Sequence, residues 1–319
     1  MSKKQEVKGY KRFYPWLKWI LSIASIYFFV QSVKGIEGDI LGDIFKEVSS
    51  HPILFGVICF LALVNWNAEA QKFKLLIASE IKLGNLRALL TILGGMAISN
   101  FTPARTGEYI GRGLLLKKVH PVKVVIATVA GNVAQVLMTY GLGLICLIYL
   151  VFFTDFMALE NGPNMWYTAF IIGVLVIVVW NAKRLISWII PKLPKNISKT
   201  LNIIKKYNGK LFLMVTGVAF LRYLAFSIQF YLLLQLFSDF SLPLSGLVLV
   251  PLAYLMQSLA PVPAVLDVGV REYVSILLFG DYLSKSAIVQ AVTCLWFINL
   301  ILPGAIGTIY LLISTKFKR

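Results

Sequence analysis

What most limits this chain is the length of its apolar runs. Residues 15–33, 52–71, 122–153, 165–182, 211–237 and 286–314 are each apolar over a length close to or above the roughly 20 residues a helix needs to cross hydrocarbon. Backbone polar groups cannot be left unpaired in lipid, so each run must close its hydrogen bonds internally, as a helix. Two further apolar segments, 87–116 and 244–279, are interrupted by proline and by charge, and read as re-entrant hairpins instead of crossings. The fold class expected is an all-α polytopic membrane protein, with about six transmembrane helices and two re-entrant helical hairpins. Composition agrees: 58% of residues are hydrophobic and only 14% charged, too apolar a balance for a soluble domain.

The formal net charge of +17 would point to nucleic acid in a soluble chain, but here membrane topology accounts for it. With the N-terminus inside, the outer loops carry Glu37, Asp39, Asp43, Glu47, Asp155, Glu160, Asp239 and Asp281 against Lys34, Lys46 and Lys285. The inner side collects Lys72, Lys74, Lys82, Arg87, Lys117, Lys118 and Lys123, then the basic connector 183–210, then Lys316, Lys318 and Arg319. This separation holds only if each broken segment returns to its own side, which leaves both termini cytoplasmic. The first run follows Lys3, Lys4, Lys8, Lys11 and Arg12 and reads as a retained signal anchor. Cys59, Cys146 and Cys294 lie unpaired in apolar runs and the two histidines, His51 and His120, stand apart, so no disulfide, metal or cofactor is expected.

An internal symmetry follows. Glu108-Tyr109 recurs 164 residues later as Glu272-Tyr273, and the same offset pairs Leu114 with Leu278, Val125 with Val289, Ala127 with Ala291 and Gly143 with Gly307. Both copies read as span, broken hairpin, Glu-Tyr helix and long span. The expected organisation is one transmembrane domain, 1–319, holding two repeats of inverted topology at about 52–153 and 211–314. The connector 183–210, with Ile197, Leu201 and Ile204 on one helical face, reads either as an interfacial helix or as a plain basic link.

Charges inside hydrocarbon are costly and mark candidate sites. Arg222 lies 12 residues beyond Lys210, about 18 Å along a helix, near mid-membrane. Asn65, Asn67 and Glu69 occupy the inner half of the second run, where Glu69 either enters the protein or snorkels to the interface. In the first hairpin, Thr102 reads as an N-cap with Pro103 at the first helical position, placing Arg105 and Glu108 on one face. In the second, Asp267 reads as an N-cap ahead of Gly269, Arg271 and Glu272. Half-helices aimed inward from opposite sides, with Arg105, Arg271 and Arg222, favour a phosphate-bearing headgroup. The alternative is that Arg105–Glu108 and Arg271–Glu272 only lock each hairpin.

These residues resemble the flippase-like transmembrane region of lysylphosphatidylglycerol synthases. The resemblance rests on Asn100, Pro103, Arg105, Gly107, Glu108 and Arg112 in the first motif and on Pro261, Pro263, Gly269, Arg271 and Glu272 in the second. Family members usually carry Pro-Gly-Gly at the second turn, where this chain reads Pro263-Ala264-Val265-Leu266. The resemblance implies a lipid translocase of the cytoplasmic (inner) membrane of a prokaryote, with Asn100, Pro103, Arg105, Gly107, Glu108, Arg112, Arg222, Pro263, Gly269, Arg271 and Glu272 as the substrate-binding set. Full-length relatives add a soluble aminoacyl transferase domain. None is expected in a chain that ends five residues after its last apolar run, at Arg319.

The function expected is translocation of a phospholipid or other phosphate-bearing lipid without ATP, since no Walker motif is present. Its partners are then anionic or phosphate-bearing membrane lipids, not nucleic acid, with a second copy of the chain or a lipid-synthesising enzyme left open. Two other readings compete. One is a scaffold acting through 183–210; the other is an intramembrane enzyme using Glu108 and Glu272 as acid and base, for which neither a nucleophile nor a metal set is evident. No catalytic residue is expected.

Overall fold

A computed structural model describes residues 40–100, 102, 105–116, 118–153, 207–259 and 267–316. The expected spans 15–33 and 165–182, most of the connector 183–210, and Pro103, Pro261 and Pro263 lie outside the described residues. Among those described, all regular structure is helical.

Helix α1 (Ile40–Ser50) occupies the acidic segment that reads as a loop in the sequence. Helix α2 (Pro52–Ile77) begins with proline at its first turn, where the missing N–H costs nothing. The segment 87–116 is two short helices, α3 (Asn85–Ser99) and α4 (Gly107–Leu115), packed on each other. Helix α5 (Pro121–Phe153) follows, and α6 (Gly209–Phe237) starts at Asn208, whose side chain accepts from the Leu211 N–H at 2.8 Å. The segment 244–279 opens with a 3-10 turn and then divides into α7 (Leu249–Ser258) and α8 (Val268–Phe279).

The last run is not one regular helix. α9 (Lys285–Trp296) passes through a π-helical stretch, Phe297–Ile301, into α10 (Leu302–Lys316). Pro303 lacks an N–H and its ring crowds the preceding turn, a common cause of such widening. Counting α9 to α10 together, four described helices are long and apolar enough to cross a bilayer: Pro52–Ile77, Pro121–Phe152, Gly209–Phe237 and Lys285–Ser314. Their outward faces expose Ile53, Phe60, Ile145, Phe152, Leu213 and Ile309, as a lipid-facing surface requires.

The packing is reciprocal. Helices α2 and α6, the first long helix of each half, form the most extensive pair in the structure. The last helix of the second half, α10, packs on α3 of the first, and the last helix of the first half, α5, packs on α7 of the second. Gly143 and Gly307 sit at these two crossings. A Cβ on Gly143 would lie 2.7 Å from the Leu255 Cβ, and one on Gly307 would collide with the Leu93 carbonyl oxygen. Small residues let backbones approach where lipid offers no hydrophobic drive between helices.

Beside α6, the buried Tyr207 hydroxyl donates to the Leu76 carbonyl at 3.1 Å, tying the chain to the end of α2. Burial, and then the charge of Glu80, push this hydroxyl up to about 12, so it stays a donor throughout the physiological range.

The tight α3–α4 contact generates a stability test. A Cβ on Gly111 would stand 2.6 Å from the Gly94 carbonyl oxygen and 2.8 Å from the Gly95 Cα. Gly111→Ala is expected to cost about 1–3 kcal/mol as α4 is pushed off α3. Gly141→Ala meets nothing within 4 Å and should be neutral or slightly stabilising. Thermal unfolding midpoints of the two purified variants in detergent check the contrast.

Candidate functional site

The site is built on one face of α2. Asn65, Glu69 and Lys72 recur at helical spacing and are all buried, with Lys72 only 1% exposed. This corrects the placing of Lys72 among the inner-loop cations. Its ammonium lies 2.6 Å from Glu69 Oε2, one turn back on the same helix. The snorkelling alternative for Glu69 also falls, because its carboxylate faces inward to three cations. Arg112 Nη2 donates to Oε1 at 3.0 Å, and Arg222 Nη1 lies 3.3 Å from Oε2.

Each cation arrives on a different helix. Arg112 on α4 also pairs with Glu108, donates to Thr128 Oγ1 at 3.5 Å, and lays its guanidinium over the Phe73 ring with 4.8 Å to the centroid. Arg222 on α6 donates through Nε to Asn65 Oδ1 at 2.9 Å and through Nη1 to Gln135 at 3.0 Å. From Asn65 a chain of amides continues: Asn65 donates to Asn299 at 2.8 Å, Asn299 to Gln229 at 2.9 Å, and Gln229 to the Ile58 carbonyl at 3.1 Å. Asn67, by contrast, is exposed and bonds only to the Leu63 carbonyl of its own helix.

The break in the first hairpin differs from the expected cap. Helix α4 starts at Gly107, not Pro103, and the Thr102 hydroxyl accepts from the Gly107 N–H at 2.7 Å. A Cβ on Gly107 would stand 2.6 Å from the Ile98 carbonyl oxygen, so the turn closes only on glycine. Arg105 consequently sits in a left-handed backbone conformation with φ of 54°, which costs a non-glycine residue about 1 kcal/mol or more. Glu108 pairs with Arg112 one turn on, not with Arg105, because the left-handed residue carries the Arg105 side chain off the helical face. Asn100 donates to the Leu300 carbonyl at 3.0 Å, inside the π-helical stretch, pinning the hairpin tip to the second half.

In the second hairpin Asp267 does not cap α8 with its side chain. Its carboxylate takes the Arg271 guanidinium at 2.5 Å, one turn along, so the partner of Arg271 is Asp267 and not Glu272. Arg271 also reaches Gln257 at 3.4 Å. Gly269 is buried on α8, and Glu272 faces away from this pair to accept from Thr293 on α9.

Two spaces meet at Arg105. A cavity of about 210 Å³ is lined by Glu69, Arg105, Glu108, Asn132, Gln135 and Arg222, with Met96, Ser99 and Val136. A smaller one of about 30 Å³ is lined by Arg105, Asp267, Arg271 and Asn299, with apolar walls. Of the expected site residues, Arg105, Glu108 and Arg222 line the larger space, Arg105 and Arg271 the smaller, while Arg112, Asn100 and Gly107 support them from behind. Glu272 lines neither.

Lys72, Asn132, Gln135 and Asn299 are additional members. Lys72 was legible as a position one turn after Glu69, and Asn132, Gln135 and Asn299 as amides inside apolar runs. Among the described residues, no group of three or more His, Cys, Asp or Glu is arranged to hold a metal ion.

Long apolar helices around a polar, partly open cavity define a multi-pass integral membrane protein. More specifically, residues 16–307 match the family described as the lysylphosphatidylglycerol synthase TM region, and the chain belongs to that family, a group of membrane proteins related to lipid handling. A comparison with curated proteins finds no match.

Because Arg112 is enclosed by two carboxylates and an aromatic ring, Arg112→Met strands Glu108 and is expected to cost about 3–5 kcal/mol. Arg105→Ala removes no ion pair among the described residues and should stay within about 0.5 kcal/mol of wild type. Unfolding in mixed micelles, read by tryptophan fluorescence, separates the two.

Proposed function

We propose that this protein translocates a phospholipid or other phosphate-bearing lipid across the cytoplasmic membrane without ATP, using the Arg105 cavity as its headgroup site. The observation that carries this reading is the charge balance there. Lys72, Arg112, Arg222 and Arg271 each have a carboxylate within ion-pair distance. The Arg105 guanidinium has none among the described residues, although it lines both cavities and its backbone is strained to put it there. Around the larger cavity the four cations Lys72, Arg105, Arg112 and Arg222 face two carboxylates, Glu69 and Glu108, so two positive charges stand in surplus.

Such a surplus inside an apolar shell favours an anion that accepts hydrogen bonds from guanidinium, as a phosphate does. The size of the space supports entry of a headgroup, with acyl chains left outside. The reciprocal packing of α10 on α3 and α5 on α7 supports two halves of inverted topology whose relative movement opens the site alternately to each side. Both carboxylates lining the cavity are already engaged by cations, which favours transport over acid–base chemistry on a bound lipid.

Reconstitution into vesicles with a fluorescent phospholipid tests the proposal. Wild-type protein is expected to speed transbilayer movement over empty vesicles. Losing one charge-assisted contact of about 1.5–3 kcal/mol predicts a fall of tenfold or more in Arg105→Ala, with partial recovery in Arg105→Lys. Equal rates in wild type and Arg105→Ala, or wild-type rates no higher than in empty vesicles, overturn the assignment.

A further inference from the structure

Glu272 is the exception among the buried charges. It is 0% exposed, its Oε1 accepts from the Thr293 hydroxyl at 3.0 Å, and its Oε2 has no hydrogen-bond partner. No ion pair reaches it from any described residue. One turn further along the same face of α8, Ser275 is also 0% exposed and its hydroxyl is likewise unpartnered.

The internal symmetry sharpens the contrast. The residue that corresponds to Glu272 in the first half is Glu108, whose charge is met by Arg112. At the 164-residue offset Arg112 becomes Ile276, and Glu69 and Lys72 become Leu233 and Leu236. The second half carries the carboxyl, but has aliphatic side chains where the first has its partner Arg112 and the neighbouring pair Glu69 and Lys72. A carboxylate in such surroundings costs several kcal/mol, which one hydroxyl donor does not offset, and the group is neutralised instead.

The neighbouring helices offer no charge to do this. On α8 itself, Asp267 and Arg271 are paired with each other at 2.5 Å, and Tyr273 is 48% exposed. Helix α7 carries no acidic or basic residue, and its Tyr254 hydroxyl donates to the Phe226 carbonyl at 3.0 Å. Helix α9 contributes Lys285 at its first position, eight residues or about 12 Å along the helix from Thr293, and the thiol Cys294.

We propose that Glu272 is a proton-binding site in the second hairpin, through which a proton gradient acts on the movement of α8. The proton is taken from water onto Oε2, forming one O–H bond. The neutral carboxyl lets α8 seat against α9. Release of the proton leaves a carboxylate that requires water, so α8 moves off α9. Asp267 and Arg271, on an adjacent face of the same helix, move with it and change the smaller cavity beside Arg105, which Leu295 and Trp296 of α9 also line. The coupling to lipid movement rests on the translocase reading above; the proton site does not.

The test has two arms. Infrared difference spectra of the full chain, taken as pH is raised, are expected to show loss of a protonated-carboxyl C=O stretch. That band should be absent in Glu272→Gln, a neutral isostere, and retained in Glu47→Gln, a carboxyl on α1 outside both cavities. A band unchanged in Glu272→Gln, no titrating band in wild type, or the same spectral change produced by Na⁺ at fixed pH would overturn the site. In the second arm, vesicles carry an imposed pH gradient of either direction. Wild-type lipid movement should differ between the two directions, and the ratio should collapse to one in Glu272→Gln. A wild-type ratio of one overturns the coupling. A titrating band without any lipid movement in wild type overturns the translocase reading and leaves the proton site confirmed.

Discussion

One carboxylate, Glu69, holds three helices together. Lys72 comes from its own helix, Arg112 from α4 and Arg222 from α6, and all three converge on its two oxygens. Removing ions from water is costly, and a cluster like this offsets the cost only when every member is met by an opposite charge or a hydrogen bond. That requirement fixes geometry: moving α4 or α6 strands a buried charge. Glu108, Gln135 and Asn65 are positioned in turn, and with them the wall of the larger cavity. The rim residue Arg105 is outside this accounting, which leaves its charge available.

Around that cluster the two halves are interleaved. Each half lends its last long helix to the other half's hairpin, with Gly143 at one crossing and Gly307 at the other. Glycines matter at these crossings because a side chain there would collide with an opposing helix, and close approach is what replaces the hydrophobic effect in lipid. The π-helical stretch adds a second tie, since Asn100 at the tip of the first hairpin bonds into it through the Leu300 carbonyl and Asn299 within it continues the amide chain from Asn65. Residues of both hairpins, Arg105 with Asp267 and Arg271, therefore line one small cavity with Asn299 and Leu300 of this stretch.

The hairpins are not equivalent. The first is locked by a shared ionic cluster, and its strained turn at Arg105 is held by Thr102 and Gly107. Among the described residues the second carries one ion pair, Asp267–Arg271, and its Glu272 has one hydroxyl partner. Several buried ion pairs thus hold the first hairpin, against one described for the second.

Much of the architecture was legible in the residues themselves. The long helices and the two breaks follow from local rules, since bilayer thickness sets helix length and proline or glycine ends it where it stands. Arg222 was legible as a buried charge because it stands in the middle of an apolar run, whereas Glu69, set among Asn65, Asn67, Gln71 and Lys72, read equally as a snorkelling side chain. The partners were not. The alternative that mated Arg105 with Glu108 and Arg271 with Glu272 does not hold: the structure gives Glu108 to Arg112 and Arg271 to Asp267, and turns Glu272 toward α9. Lys72 looked like a loop cation and is buried. The sequence alone determined where the long described helices run and that Arg222 is an expensive charge, since both depend on a residue and its near neighbours. Only the tertiary structure decided which charges meet, because that depends on the rotation of each helix about its axis and on contacts between residues as far apart as Asn65 and Asn299.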